Sequence, residues 1–167
     1  NSGSTIWFDT IQVGGGVGYL TSMVVLGNGY TYVTGFAGGA GWDAGNDIIT
    51  AKYDPSGNRV WLHQYIGTAG GNDWTGMTNF NGHVTKSIAV DGSDNVYVAA
   101  GSENSSGDHD FLLIKYSGVT GDTLWTRRYD NGGDDEAHAV AIDASNAVYV
   151  TGYSWEGADE DFLTIKY

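Results

Sequence analysis

Three of the six tryptophans, Trp42, Trp74 and Trp155, stand in loop-type segments of unequal length, among carboxylates and amides. An exposed indole in that company is the chemistry of a sugar platform: the flat face of a pyranose stacks on the ring while acids such as Asp43 and Glu156 take its hydroxyls. A tryptophan that packs on a neighbouring unit, or on a partner copy, meets the same description. Calcium competes for the acidic loops, because a hard cation wants several oxygens at once. The candidate ligands are Asp108, Asp134, Asp135, Asp159 and Asp161, although no stretch matches the spaced Asp-x-Asp-x-Asp-Gly ligand loop.

Catalytic signals are weak. The chain has no Gly-x-Ser-x-Gly elbow, no His-Glu-x-x-His and no phosphate loop with its lysine; Gly14-Gly15-Gly16-Val17-Gly18 lacks the lysine and a following helix pattern. His63, His83, His109 and His138 share no spacing. No cofactor is indicated beyond calcium, and Asn104-Ser105-Ser106 is a formal glycosylation acceptor.

The elements that must position these residues are short β-strands. Twenty-seven glycines and a single proline, Pro55, punctuate runs rich in Val, Ile, Thr and Tyr. Four landmarks recur in one order three times. Gly-x-x-hydrophobic-Trp appears as Gly3 to Trp7, Gly57 to Trp61 and Gly121 to Trp125. An apolar run follows at Ser22 to Leu26, Ser87 to Asp91 and Ala139 to Asp143, then Tyr32-Val33-Thr34-Gly35, Tyr97-Val98-Ala99-Ala100-Gly101 and Tyr149-Val150-Thr151-Gly152. Each copy closes on an alternating strand ending in Lys-Tyr: Asp47 to Tyr53, Asp110 to Tyr116 and Asp161 to Tyr167. Asn, Asp, Gly and Ser between the second and third landmarks predict hairpin turns.

A period of about 50 to 65 residues holding four short strands is the size of one β-propeller blade. The tryptophans recurring in register, Trp7, Trp61 and Trp125, read as packing residues, as do the recurring aspartates Asp47, Asp110 and Asp161. The stretch from Trp61 to Tyr97 is longer than its counterpart from Trp125 to Tyr149, which marks an insertion, Gly70 to His83, as a candidate binding loop or as an arm covering a neighbour.

An apolar strand ending in Asp, a short turn, Asn-Val-Tyr-Val-x-x-Gly, then Asp-Phe-Leu-x-Ile-Lys-Tyr and a Trp strand resembles the SBBP-type bacterial β-propeller repeat. The resemblance covers nearly the whole chain. It implies an all-β propeller and an exported location, and no single activity. Asp135-Glu136-Ala137 resembles the Asp-x-Ala that precedes the first strand of such blades, whereas the other copies depart from it, with Leu20-Thr21-Ser22 and Val84-Thr85-Lys86. The resemblance further implies blades running from an inner apolar strand outward to the Trp strand. On that phase the single segment 1–167 divides into an orphan outer strand (4–10), a blade at 20–66, a blade at 86–129 and an incomplete blade at 137–167.

Because the chain begins at Asn1, it reads as a processed chain or an excerpt of a longer one. The N-terminal strand is expected to complete the C-terminal blade of a neighbouring copy, as a six-bladed dimeric ring or a filament; the blades of a longer chain are the alternative. Seven scattered Lys and Arg against twenty Asp and Glu give a net charge of −13 and no basic stripe. Nucleic acid and anionic membrane are therefore not expected partners, and no apolar run is long enough to span a bilayer. The expectation is an acidic, extracellular, non-enzymatic scaffold forming homo-oligomers, with a lectin-like, glycan-binding module as the rival.

Overall fold

The computed structural model describes residues 3–13, 16, 18–38, 45–67, 71–76, 85–157 and 159–167. Among them the chain is all-β, with three antiparallel sheets and no closed barrel. Sheet 1 runs in chain order through β1 (Gly18–Val25), β2 (Thr31–Ala37), β3 (Asp47–Tyr53) and β4 (Arg59–Tyr65). Sheet 2 contains β5 (Asp73–Trp74), β6 (Ile88–Val90), β7 (Val96–Glu103), β8 (His109–Tyr116) and β9 (Thr123–Tyr129), with β5 and β6 both pairing with β7. Sheet 3 is β10 (Asp135–Ile142), β11 (Val148–Glu156) and β12 (Asp159–Lys166).

The turns follow from their residues. Asp91 Oδ1 accepts the backbone N–H of Ser93 and Asn95, and Asp143 Oδ1 those of Ser145 and Ala147. These Asx turns hold Asp94 and Asn146 at φ 67° and 65°, which short amide and acid side chains tolerate. The other oxygen of each aspartate takes the hydroxyl of Tyr97 or Tyr149. Sheet 1 has Leu26 in that place, and Tyr32 donates instead across the interface to Asp94.

The glycine of the Tyr-Val-x-Gly landmark answers to a β-bulge. In sheets 1 and 3 the first strand bulges between Leu20 and Ser22 and between Ala137 and Ala139. A bulge forces the local backbones together, so that a Cβ on Gly35 would lie 2.0 Å from the Tyr19 carbonyl oxygen. Thr21 and His138 are the extra residues.

At the same place in sheet 2 the first strand is interrupted. Asp73 and Trp74 stand opposite Ser102 and Gly101, and Ile88 stands opposite Val98. The second sheet thus reaches back to Asp73, ahead of the boundary at residue 86 that the repeat spacing suggests. Asp73 opposite Ser102 matches Asp135 opposite Ser154. The Asp that sequence alignment places only in the third copy is therefore present in the second as well, displaced by the insertion.

The sheets stack in chain order. Ile48 and Trp61 of sheet 1 pack with Ile88, Val98, Leu112 and Tyr116 of sheet 2. Tyr97, Phe111 and Leu113 of sheet 2 pack with Val140, Val148 and Val150 of sheet 3. Lys52 crosses the first interface: its Nζ donates to Asp94 Oδ2 and to the Gly118 carbonyl, each at 2.7 Å. Residues 4–10, expected as an outer strand, form no ladder with the described strands.

Candidate functional site

Two regions carry the residues that the sequence singles out. The first is the rim where the second and third sheets meet. Trp74, at the end of the short β5, stacks on the His109 ring at 4.1 Å and 28°. His109 lies at the start of β8, where both its N–H and its Nδ1 meet Asp134 Oδ1, at 2.9 and 3.2 Å. The carbonyl of Asp134 accepts the N–H of Trp155 at 3.1 Å. Trp74 and Trp155 thus stand at the two ends of one chain of contacts.

Trp74 offers a ring face that His109 already covers, and its Nε1 is buried without a hydrogen-bond partner among the described residues. Trp155 is 40% exposed and rests on Gly133. Beside it, Glu156 Oε1 accepts the Asn131 amide at 3.1 Å. Trp42 and Asp43 lie outside the described residues.

The acids are placed separately. Asp135 is fully buried, and its carboxylate takes the N–H of Asn131 at 2.6 Å and of Trp155 at 3.3 Å. It pins the loop before β10 to the end of β11. Asp134 holds His109, while Asp108 closes a turn through its own backbone, its carbonyl accepting the Asn104 N–H at 2.8 Å. Asp159 and Asp161 are exposed on β12, opposite Glu156 and Ser154. Among the described residues no three His, Asp or Glu side chains converge on a point where a cation could sit.

Other polar groups at this rim escape a reading of spacing. Asp73 is 1% exposed; burial pushes its carboxyl above the usual range, while Oδ2 accepts the Gly67 N–H at 2.6 Å. Glu136 meets His138 Nε2 at 3.1 Å. Burial, and then the Glu136 carboxylate, hold the Tyr153 phenol well above its ordinary range. Thr123 Oγ1 lies 3.2 Å from His63 Nε2, but among the described residues no carboxylate hydrogen-bonds that ring, and burial lowers its basicity. A nucleophile, base and orienting acid in series are therefore not assembled there.

The second region is the N-terminal segment on sheet 1. Trp7 stacks on Tyr53, the last residue of β3, at 5.6 Å and 20°. A Cβ on Gly57, in the turn before β4, would be 2.4 Å from the Trp7 ring. Each contact has an internal precedent. Trp61, on the fourth strand of sheet 1, covers Gly121 of sheet 2, where a Cβ would stand 2.8 Å from its ring. Trp125, on the fourth strand of sheet 2, meets Tyr167 at the end of the described β12 region, at 6.5 Å.

Asp9 completes this docking. It accepts the Tyr53 hydroxyl at 2.9 Å and lies 3.7 Å from Arg59. Burial first, and Asp9 second, push the Tyr53 phenol up to about 12. Compared with known proteins, the chain matches no family model and no curated protein.

Proposed function

We propose that each sheet is one propeller blade and that the chain is an exported, non-enzymatic scaffold that assembles by strand exchange, its N-terminal segment serving as the fourth strand of another copy's third sheet. The observation that carries this is Trp7, which makes toward Tyr53 and Gly57 the contacts that the fourth-strand tryptophans make toward the sheet that follows them. That is the position the last strand of a sheet lying in front of sheet 1 would take.

Register gives the reading its detail. Trp61 and Trp125 stand opposite Lys52 and Lys115 in their sheets. A donated strand in the same register places Trp7 opposite Lys166 and Ile11 opposite Phe162. It also supplies the free edge of β12, which would otherwise present unpaired backbone groups.

Light scattering on the intact chain tests the reading. The expected result is a mass above the 17.7 kDa of one copy, with reversion to a folded monomer on deletion of residues 1–10. A well-folded monomer of the intact chain at micromolar concentration overturns it.

A further inference from the structure

The two outer faces of the stack are counterparts of faces that cover one another inside it. Met23, Ile88 and Val140 occupy one position, opposite Val33, Val98 and Val150 in their sheets. Ile88 and Val140 are each 5% exposed because the preceding sheet covers them, whereas Met23 is 56% exposed. On the opposite side of the repeat, Ile48 and Phe111 are 0% exposed beneath the following sheet, and Phe162 in the same position is 100% exposed.

The neighbouring hydroxyls tell the same story. Thr34 and Thr50 share a hydrogen bond of 3.1 Å and are fully buried. Thr151 and Thr164 share a bond of the same length on sheet 3 and lie exposed. Identical local geometry with opposite exposure means that these side chains are arranged for a covering sheet.

A groove of about 480 Å³ lies on the uncovered face of sheet 1, between the N-terminal segment and β1, and its walls include Trp7, Leu20, Met23, Val33 and Tyr53. Within the chain, Ile48 packs beside Ile88 and Val98, and Phe111 beside Val140 and Val150. The third member of that series is Phe162 beside Met23 and Val33. Those partners lie at the far end of the stack, so one chain cannot bring them together; a second copy can.

Resting on the reading of the sheets as blades, we infer that Phe162 of one copy inserts into the groove beside Met23 and Val33 of a second, and that the contact occurs twice in a closed ring of two chains. The count follows from the architecture. Propellers close with four to eight blades, and each copy brings three sheets. Two copies give six, which lies within that range. A head-to-tail contact used twice about a two-fold axis leaves neither face open.

Three measurements separate this inference from the strand-exchange reading beneath it. Light scattering of the intact chain is expected to give twice the mass of one copy. Phe162→Asp is expected to yield a monomer with unchanged circular dichroism, because the side chain is fully exposed in its own copy. The chain has no cysteine, so Met23→Cys and Phe162→Cys copies mixed with a short bis-maleimide should give a cross-linked pair that neither copy forms alone. A dimer that survives Phe162→Asp and gives no cross-link overturns the face contact while leaving strand exchange standing. Loss of the dimer on Phe162→Asp but not on deletion of residues 1–10 overturns strand exchange alone. A monomeric intact chain overturns both, and an open polymer overturns the closed ring.

Discussion

Gly152 lies so close beneath the carbonyl oxygen of Glu136 that a Cβ built on it would stand 1.8 Å away. The oxygen is backbone, fixed by the bulge at His138, and cannot step aside. Gly152→Ala and Gly35→Ala are therefore expected to destabilise the fold by about 1–3 kcal/mol each, the usual cost of overpacking. Urea unfolding checks this. Gly27→Ala, where a methyl meets open space, should leave the midpoint nearly unchanged.

Lys52 is a buried cation that ties two sheets together. Lys52→Met leaves one oxygen of Asp94 without its donor and the Gly118 carbonyl with the Trp61 Nε1–H alone, and a loss of about 1–3 kcal/mol is expected from the unmade bonds. Lys166, its repeat counterpart, is exposed. Lys166→Met, compared by denaturant unfolding in the monomeric Phe162→Asp background, should shift stability by less than about 0.5 kcal/mol.

The hairpin aspartates give the fold an acid limit. The Ser145 hydroxyl and then the Ala147 N–H, both donated to it, hold the Asp143 carboxyl down at about 2, below its ordinary 3.8. A carboxyl depressed in the fold contributes stability that is fully present above the unfolded pKa and is lost as pH falls through the folded one. Asp143→Ala is thus expected to lower Tm at pH 7, with the gap narrowing below about pH 4 and closing near pH 2. Melting both proteins across that range measures it.

In the proposed contact between copies the polar lock that Lys52 and Asp94 make has no counterpart. Gly29 occupies the turn position that Asp94 holds in sheet 2, so Lys166 finds no carboxylate there, and each copy carries a net charge of −13. An apolar contact between like-charged partners strengthens as salt screens the repulsion. The dissociation constant should fall as ionic strength rises from about 10 to 150 mM, as sedimentation would show; a rise would mean that ion pairs hold the copies together.

The recurring landmarks carried the strand pattern because each has a local cause. Tyr-Val-x-Gly stands in sheets 1 and 3 because the bulge there admits only glycine, while sheet 2, whose first strand is interrupted instead, has Ala100 at that place. The turn Asp recurs in sheets 2 and 3 because its oxygens satisfy the turn's own N–H groups. Asp73 was illegible for a different reason. Its equivalence to Asp135 lies in pairing with Ser102, and the inserted residues carry it far from the strand it belongs to. The contact of Trp74 with His109 and the pairing of Arg128 with Asp110 join residues whose separation in sequence has no periodic signature. Spacing placed acids in loops, but the direction of each carboxylate depends on which backbone amides its turn exposes. For that reason Asp135 proved to be an internal clasp.

The interrupted strand of sheet 2 shows that this architecture has a splice point. The ladder stops at Trp74 and resumes with Ser87 accepting the Ala99 N–H. Sheets 1 and 3 keep the same position closed with a single residue, Thr21 or His138. Those two positions are thus ready-made ports: a foreign peptide inserted at either would leave the sheet at a bulge and rejoin it in register. Displayed segments could then be carried on three neighbouring sheets without rebuilding the frame.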